Sequence, residues 1–362
     1  MEMWRSHTPE LSMAQSALSG PWFGRKRAPV IVCGMFAVTA ARISPQDPLA
    51  GLRLGDHPDP SPPDSSWVTV TVKAASLNHH DVWTLRGVGI SADRLPIVLG
   101  CDAAGVDADG NEVIVHAVIG DAAGHGGDET LDPRRSLLSE RYDGTFADKV
   151  AVPRRNLVPK PASLSFAEAA CLPTAYLTAY RMLFAQSGLE PGATVLVQGA
   201  GGGVATALIL LGRAGGFRMW VTGRSEDKRA RALELGADQA FEPGSRLPER
   251  VDAVMETVGQ ATWSHSLKAL RPGGRIVVSG ATSGAAPPAE LNRVFFLQLS
   301  VVGCTMGSRD QLARLATFLE QTGVRPRIDR SLPLTEAEAG FAAMISGDIF
   351  GKVVFTTNHD RG

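Results

Sequence analysis

The sequence lacks the features of disulfide-rich and membrane-spanning proteins. Its four cysteines are far apart and form no Cys-x-x-Cys pair: Cys33, Cys101, Cys171 and Cys304. A disulfide framework is therefore excluded, and a reducing, cytoplasmic setting is expected. No apolar run approaches the roughly 20 residues that cross a bilayer, so no membrane partner is expected.

An excess of charge of either sign is also absent. Thirty-six basic and 37 acidic side chains leave a formal net charge of −1, which gives no reason to expect a nucleic-acid partner. Hydrophobic residues make up 44% of the 362 residues and charged residues 20%. This composition is typical of a globular protein with enough chain for two domains.

Residues 1–34 differ from the rest of the chain because they lack a sustained hydrophobic period. Met35 directly precedes "FAVTAARI", an expected first strand. We expect residues 1–34 to be a loosely ordered extension, or translation to start at Met35. An export signal is the less favoured interpretation, because the apolar run after Arg25–Arg27 is short and lies late.

The pattern of the chain changes near residue 163. Before it, "WVTVTVKAAS" alternates apolar and polar residues like a half-buried strand, and further short strands are separated by prolines. After it, "SFAEAACLPTAYLTAYRML" predicts a helix with a capping box of Ser165 and Glu168, and strands then alternate with helices. This order predicts an α/β fold in which a β-rich module precedes a doubly wound parallel sheet.

A glycine cluster in "VLVQGAGGGVATALILL" joins an expected strand to an expected apolar helix. Such glycines let backbone amides approach a pyrophosphate, and the helix N-terminus favours its negative charge. Ala205 stands where a third glycine is often found and is small enough for helix–sheet packing. The sequence therefore predicts a dinucleotide site at Gly199, Gly202, Gly203 and Val204.

The end of the next expected strand favours NADPH. An NAD site usually has a carboxylate there for the ribose hydroxyls, but this strand runs into Gly223, Arg224 and Ser225, with Lys228 one turn later. Arg224, Ser225 and Lys228 are suited to a 2′-phosphate. The alternative is that the two cations are ordinary solvated side chains.

Together these segments resemble the medium-chain dehydrogenase/reductases, from Met35 to the C-terminus, and most of all the quinone oxidoreductase and zinc-type alcohol dehydrogenase-like branch. The resemblance is carried by "AASLNHHDVWTLRG", "LPIVLGCDAAGV", "DGTFADKVAVPRRNLVPKP", "AACLPTAYLTAYRML", "GAGGGV", "GRIVVSGATSG", "VVGCTMGSRDQL" and "FGKVVF". It implies a GroES-like catalytic domain of residues 35–160 and 324–362 and a Rossmann NADPH-binding domain of residues 161–323. It also implies a homodimer that pairs near "LSVVGC".

The resemblance also locates the positions at which zinc-dependent members hold their catalytic metal. They fall on Asn78, Cys101 and Thr174, and two of these are poor zinc ligands. His79, His80 and Asp81 are adjacent in sequence and would need a distorted backbone to meet on one ion. Cys101 is then a small buried apolar residue, and the segment that corresponds to the structural-zinc lobe contains no cysteine. No metal is expected.

Catalysis without a metal needs groups that donate a hydrogen bond to a substrate oxygen or a proton to a substrate oxygen or carbon. Asn78 and Thr174 are expected to donate hydrogen bonds, and His80 is the expected general acid with His79 as its rival. For each histidine, an ordinary packed residue is an equally good interpretation. Asp81 is expected to anchor the loop by accepting backbone hydrogen bonds.

Further cofactor contacts are implied by the resemblance alone. They are Thr178, Val258, Gly280, Ala281, Thr282, Met306, Gly307, Ser308, Phe350 and Lys352.

The function that these expectations favour is an NADPH-dependent, zinc-independent oxidoreductase that reduces a quinone, enone or other activated alkene. The substrate is expected to be a small and apolar molecule, with Trp83, Leu85 and Ile90 as hints of its pocket. Two alternatives stay open: an alcohol or aldehyde dehydrogenase, and a catalytically lapsed NADPH-binding sensor or structural protein. The short-chain dehydrogenases are excluded because none of the three tyrosines is followed four residues later by lysine.

Overall fold

The structure is a computed structural model and describes residues 34–357. Residues 1–33 of the expected extension at residues 1–34, Cys33 among them, lie outside the described residues. The strands are β1 (Met35–Ala40), β2 (Leu52–His57), β3 (Trp67–Ser76), β4 (Ile97–Val98), β5 (Asp102–Asp107), β6 (Glu112–Val115), β7 (Val118–Ile119), β8 (Ser136–Leu137), β9 (Lys149–Pro153), β10 (Leu157–Pro159), β11 (Thr194–Gln198), β12 (Arg218–Thr222), β13 (Gln239–Phe241), β14 (Val251–Glu256), β15 (Leu270–Val278), β16 (Ser300–Gly303), β17 (Ile328–Pro333) and β18 (Lys352–Thr356).

The α-helices lie mostly in the second half of the chain. They are α1 (His79–Leu85), α2 (Phe166–Ala170), α3 (Leu177–Arg181), α4 (Gly203–Ala214), α5 (Glu226–Leu235), α6 (Gln260–Ala269), α7 (Leu291–Phe296), α8 (Arg309–Thr322) and α9 (Ala337–Ser346). No helix within residues 34–357 is both long and apolar enough to cross a bilayer.

A six-stranded parallel sheet has the order β13-β12-β11-β14-β15-β16. The order reverses beside β11, which is the point where doubly wound sheets bind dinucleotides. β11 is buried throughout because helices cover both faces of such a sheet. The expected parallel, doubly wound sheet is therefore confirmed.

The β-rich module contains a seven-stranded sheet in which β18, near the C-terminus, pairs with β3. The alternation of "WVTVTVKAAS" is visible in β3, where Val68, Val70 and Val72 are buried. Because β17 and β18 join this sheet, the last part of the chain returns to the module of the first part. This pairing places Lys352 beside the start of α1, while the domain boundaries at residues 160 and 324 stay a prediction.

The helical segment between the two sheets is irregular. It begins with the expected capping box, in which Ser165 accepts from the Glu168 amide and Glu168 accepts from Ser165. Two π-helical turns, Leu172–Tyr176 and Met182–Gln186, flank α3. Pro173 lies in the first of them and has no amide hydrogen to continue the α-helical pattern. Thr174 therefore stands on an irregular turn that faces β5.

Candidate functional site

The carboxylate of Asp102 is the centre of a buried polar network. Asp102 is fully buried at the start of β5 and accepts from Ser76 Oγ at 3.0 Å, Asn78 Nδ2 at 2.9 Å and Thr174 Oγ1 at 2.5 Å. The Lys352 ammonium lies 3.6 Å from the same carboxylate. The Asp102 side chain thus contacts residues from β3, the start of α1, the first π-helical turn and β18.

Asn78 is less available for catalysis than the sequence led us to expect. Its Nδ2 donates to Asp102 and to the Ser76 carbonyl, and its Oδ1 accepts from Lys352 Nζ at 2.6 Å. Since both amide hydrogens and the carbonyl oxygen have partners, Asn78 has no donor left for a substrate. The expected donor role of Asn78 is therefore corrected to a structural one, and the Thr174 hydroxyl, which donates to Asp102, is corrected in the same way.

Lys352 places a positive charge in the former metal pocket. Its side chain is 2% exposed, and Nζ donates to the Leu77 carbonyl at 2.8 Å as well as to Asn78. The aliphatic stem passes against Gly203, where an added Cβ would lie 2.8 Å from Lys352 Cδ. Lys352 was expected at the cofactor; its stem touches the cofactor loop, but its ammonium is turned away into this network.

These residues do not fit a catalytic zinc. Asn78 and Thr174 both already donate hydrogen bonds to Asp102. A divalent ion at this place would also be repelled by the neighbouring Lys352 ammonium. We therefore derive no chemical step through a metal.

A second possible ligand set lies nearby. Among residues 34–357, the ligand atoms of His80, Asp81 and Cys101 lie within 4.8 Å of one another. His80 and Asp81 thus approach each other from a regular first turn of α1, without the distorted backbone that we expected for a set that also included His79. Both oxygens of Asp81 accept backbone amides, from Asn78 and Gly100 at 2.9 Å each. Burial raises the pKa of the Cys101 thiol well above its ordinary range, which disfavours the thiolate a metal needs.

Asp81 has the anchoring role that its position near a turn predicts. Its two backbone bonds tie the start of α1 to the loop before Cys101, and Asn78 and Asp81 form a capping box. Complete burial, more than any other influence, raises the pKa of Asp81 to about 6. Cys101 is fully buried, as expected.

Each ring nitrogen of His80 faces a polar side chain. Nε2 lies 3.3 Å from Glu140 Oε1, and Nδ1 lies 3.7 Å from Cys101 Sγ. Burial opposes charge on the ring, but the hydrogen bond to Glu140 and the charges of Asp81, Glu140 and Asp102 outweigh it and raise the pKa of His80. A raised pKa keeps the imidazolium, which is the proton-donating form, populated closer to neutral pH.

Its neighbour His79 has the opposite environment. Desolvation by surrounding atoms, followed by the charges of Lys352 and Arg86, lowers the pKa of His79. The ring lies 6.3 Å from that of Trp83 and is tilted against it. Of the two rival histidines, His80 is the one whose surroundings favour a proton donor.

Two neighbouring cavities open beside the His80–Glu140 pair. The larger, about 370 Å³, has Glu140 in its wall together with Met306 from the loop after β16. The smaller, about 230 Å³, shares Glu140 and Arg135 with it. Of the residues expected to line an apolar pocket, Ile90 lines the smaller cavity, whereas Leu85 packs in the core. The walls of both cavities contain polar as well as apolar side chains, so the pocket is only partly apolar.

The glycine loop is shaped to receive a dinucleotide. Gly199 has φ +95°, a conformation that side chains rarely adopt, and Gly202 has open space where a Cβ would stand. α4 begins at Gly203 with Gly202 as its N-cap and no capping side chain. The first amides of α4 are therefore left for a pyrophosphate, with Val204 in the same turn.

At the adenosine end, the expected cations have unequal surroundings. Arg224 is exposed after β12, whereas Lys228 Nζ donates to the Gly347 carbonyl at 2.6 Å and Ser225 Oγ caps α5. Gly223 packs tightly on Ala200. Arg224 is thus the cation with the most freedom to reach a 2′-phosphate.

The other expected cofactor residues lie along the carboxyl edge of the parallel sheet or beside it. Val258 follows β14 close to Gly199, and Gly280–Thr282 follow β15. Met306 has φ +44°, Gly307 packs on Leu177, and Ser308 caps α8. Thr178 is buried in α3, and Phe350 is buried beneath the Arg231 guanidinium, so its ring is not free to stack on a base.

Reasoning from sequence missed three residues of the candidate site. Asp102 was noted only as the neighbour of a former ligand, although it organises the pocket. Glu140 and Arg135 lie in the segment where zinc-dependent relatives have their structural lobe. Nothing in that segment signals its approach to His80, which is 60 residues away in sequence.

Comparison with known proteins agrees with this architecture. The family "Alcohol dehydrogenase GroES-like domain" matches residues 64–162, and the family "Zinc-binding dehydrogenase" matches residues 203–321. A zinc-type alcohol dehydrogenase-like protein of Leptosphaeria maculans is 30% identical over 339 residues, which covers 84% of this chain and 93% of that protein.

Solved structures give the same answer. An NAD-dependent alcohol dehydrogenase superposes with a TM-score of 0.82 at 35% identity and covers 90% of this chain and 100% of its own. A 2-octenoyl-CoA carboxylase reductase, in complex with NADP and 2-octenoyl-CoA, gives 0.83 at 25% identity and covers 92% and 90%. With its GroES-like module, its Rossmann sheet and these relatives, the chain belongs to the medium-chain dehydrogenase/reductase superfamily of oxidoreductases.

Proposed function

We propose that this protein is an NADPH-dependent reductase that adds a hydride and a proton across an activated alkene, an enone or a quinone, without a metal. The observation that carries the proposal is the His80–Glu140 pair, of which Glu140 lines a cavity together with Met306. It supplies a proton donor, and the buried Asp102 network occupies the place of a metal that would polarise an alcohol.

The residues divide the reaction between them. NADPH held at the glycine loop before α4 would supply a hydride for the β-carbon of an enone, which would thereby become an enolate. His80 gives the Nε2 proton to that enolate, which displaces Glu140 Oε1, 3.3 Å away, as the acceptor of this proton; before the transfer, Glu140 stabilises the imidazolium. For a quinone the proton goes to oxygen. Asp102, Asn78 and Lys352 keep α1 and β18 in place so that His80 keeps its position.

The preference for NADPH rests on the adenosine end of the site. Arg224 is an exposed cation directly after β12, and the carboxylate typical of an NAD site is missing from this position. The 2-octenoyl-CoA carboxylase reductase was solved with NADP, although the similar alcohol dehydrogenase is NAD-dependent. We infer that Arg224 binds the 2′-phosphate.

The second candidate is an alcohol dehydrogenase, which the name of the 35% identical structure favours. The residues at the expected metal positions count against it. An alcohol must lose a proton before it gives up a hydride, and Asn78 and Thr174 are hydrogen-bonded to Asp102 beside the Lys352 ammonium, which makes a poor site for a Lewis-acid metal.

Steady-state kinetics distinguish the two. We expect NADPH oxidation with an α,β-unsaturated ketone or a quinone, unchanged by a chelator, and at least about tenfold lower kcat/KM with NADH because a charge-assisted contact is lost. His80→Gln is expected to lower kcat by about 10²–10⁴-fold, the usual effect of removing a general acid, and His79→Gln by far less. Turnover of simple alcohols alone, or activity that the chelator abolishes, would contradict the proposal.

A further inference from the structure

Three arginines surround the cavity next to the His80–Glu140 pair. The smaller cavity is lined by Gly89, Ile90 and Ser91 on one side and by Arg94, Arg135, Arg141 and Glu140 on the other. Three guanidinium groups against one carboxylate leave its walls with an excess of positive charge. The net charge of the whole chain is −1, so this concentration is local and not a property of the composition.

The charges of two of these arginines are not neutralised by the contacts they make. Arg135 Nη1 donates to the Asp132 carbonyl at 3.3 Å, and Arg141 Nη1 donates to the Arg134 carbonyl at 3.1 Å. Both partners are uncharged backbone oxygens, which orient the guanidinium groups and leave their remaining N–H donors for another acceptor. Arg94 is partly offset by its neighbour Asp93.

The carboxylate in this wall is already occupied. Glu140 accepts from His80 Nε2 through one oxygen and from the Leu137 amide and Ser136 Oγ through the other. Within the described residues it is therefore bonded to His80, Leu137 and Ser136, and no hydrogen bond or ion pair joins it to the arginines of the same cavity.

The two cavities are neighbours that share two wall residues, Glu140 and Arg135. The larger cavity reaches from Met306 to Glu140 and Arg135, and the smaller begins at the same two residues. A substrate whose alkene lies in the larger cavity beside Glu140 has its far end directed at Arg135 and Arg141. Guanidinium groups bind carboxylates and phosphates bidentately.

We propose that the natural substrate carries an anionic group, a carboxylate or a phosphate, which Arg135 and Arg141 bind in the smaller cavity while the alkene is reduced in the larger one. This rests on the proposed function for the chemistry, whereas the anion site itself is independent of turnover. It replaces the expectation of a purely apolar substrate with one that has an apolar reactive part and a charged end.

A matched pair of enones tests the proposal. 6-Oxohept-4-enoate and its methyl ester share the same reacting alkene, and two methylene groups separate it from the charge. We expect the acid to have about tenfold or higher kcat/KM than the ester, mainly through KM, since a charge-assisted hydrogen bond is worth about 1.5–3 kcal/mol. Arg135→Gln should lower the acid-to-ester ratio about tenfold.

The control is Arg134→Gln. Arg134 is adjacent in sequence, its side chain is 83% exposed, and it lines neither cavity. The ratio should not change in this variant. An acid-to-ester ratio near one in the unmodified protein, or an equal change in both variants, would overturn the anion site.

Direct binding separates this proposal from the proposed function. At constant ionic strength, succinate and inorganic phosphate are titrated into the full-length protein by calorimetry. The anion site is supported, even if no enone is reduced, when succinate or phosphate binds to the unmodified protein and to Arg134→Gln but not to Arg135→Gln. The anion that binds more tightly tells whether the site prefers a carboxylate or a phosphate. Absence of binding of both overturns it, even if neutral enones are reduced.

Discussion

At the scale of single residues, the proposed proton donor is distinguished by a neighbour that comes from another part of the chain. His80 stands on the first turn of α1, and Glu140 approaches it from a loop 60 residues later. Reasoning from sequence identified His80 as a histidine near a former metal site. It named His80 as the expected general acid and kept His79 as its rival; the environment that separates them depends on Glu140 for one ring and on Lys352 and Arg86 for the other.

The contact with Glu140 predicts a specific change in pH dependence. Because His80 must be protonated to donate, kcat should fall as pH rises through its raised pKa. Glu140→Gln removes the negative charge while burial remains, so the pKa of His80 should fall and the alkaline limb of the kcat profile should move to lower pH. At pH 8 we expect kcat to fall about tenfold, as for a weakened general acid.

The kcat profile against pH measures this, with Glu249→Gln as the matched control. Glu249 is 52% exposed and pairs with Arg218 on the parallel sheet, far from the cavity residues. An alkaline limb that stays in place in Glu140→Gln would show that His80 is not the titrating donor.

Asn78 shows why a residue's role is harder to predict than its place. The spacing in "SLNHHD" located the pocket, but the amide's partner Lys352 is 274 positions away. Only the pairing of β18 with β3 brings that ammonium to it. A contact of this sequence separation leaves no local pattern, so the donor role expected of Asn78 had to be revised.

At the scale of elements, local patterns were the most informative. The alternating valines of β3, the capping box at Ser165 and the strand–glycine–helix succession at residues 194–214 are all present where the sequence placed them. Each depends on neighbours within a few residues. The π-helical turns around α3 were not predicted. Pro173 lies in the first of them, whereas the second, Met182–Gln186, contains neither proline nor glycine to mark it.

The loop before α4 predicts a selective effect on cofactor binding. A methyl group at Gly202 would meet no protein atom within 4 Å and would point into the space left for the pyrophosphate. Gly202→Ala should therefore fold normally but bind NADPH at least about tenfold more weakly, since charge-assisted contacts worth about 1.5–3 kcal/mol are disturbed.

Fluorescence titration with NADPH, together with the melting temperature, measures both effects. Gly303→Ala is the control, since Gly303 also has no atom within 4 Å of its added Cβ but lies at the end of β16. Equal NADPH affinity in Gly202→Ala and the unmodified protein would argue against this loop as the pyrophosphate site.

At the scale of the whole molecule, the parallel sheet ends in an edge strand that favours self-association. β16 is one of the two edge strands of this sheet, and Val301 on it is 48% exposed. The preceding helix α7 exposes Leu291, Phe295 and Phe296. Unpaired edge strands and apolar patches of this kind are sites of association. We therefore keep the homodimer as a proposal, with pairing through β16.

A lysine on this edge should separate the subunits. Val301→Lys places a charge on the strand and is expected to halve the mass measured by light scattering after size-exclusion chromatography. Leu233→Lys, at a similarly exposed position (46%) on α5, should leave the mass unchanged. A monomeric mass in the unmodified protein would contradict the proposal.

In the proposed reaction, a hydride is added to a carbon of an activated alkene without a metal. The position of a transferred deuteride shows whether this happens. The protein is incubated with 4-deuterated NADPH, an α,β-unsaturated ketone and a chelator, and the product is analysed by mass spectrometry and NMR. Deuterium on the β-carbon of a saturated ketone is the predicted result. Deuterium on a carbinol carbon, with the alkene intact, would identify an alcohol dehydrogenase and contradict the account.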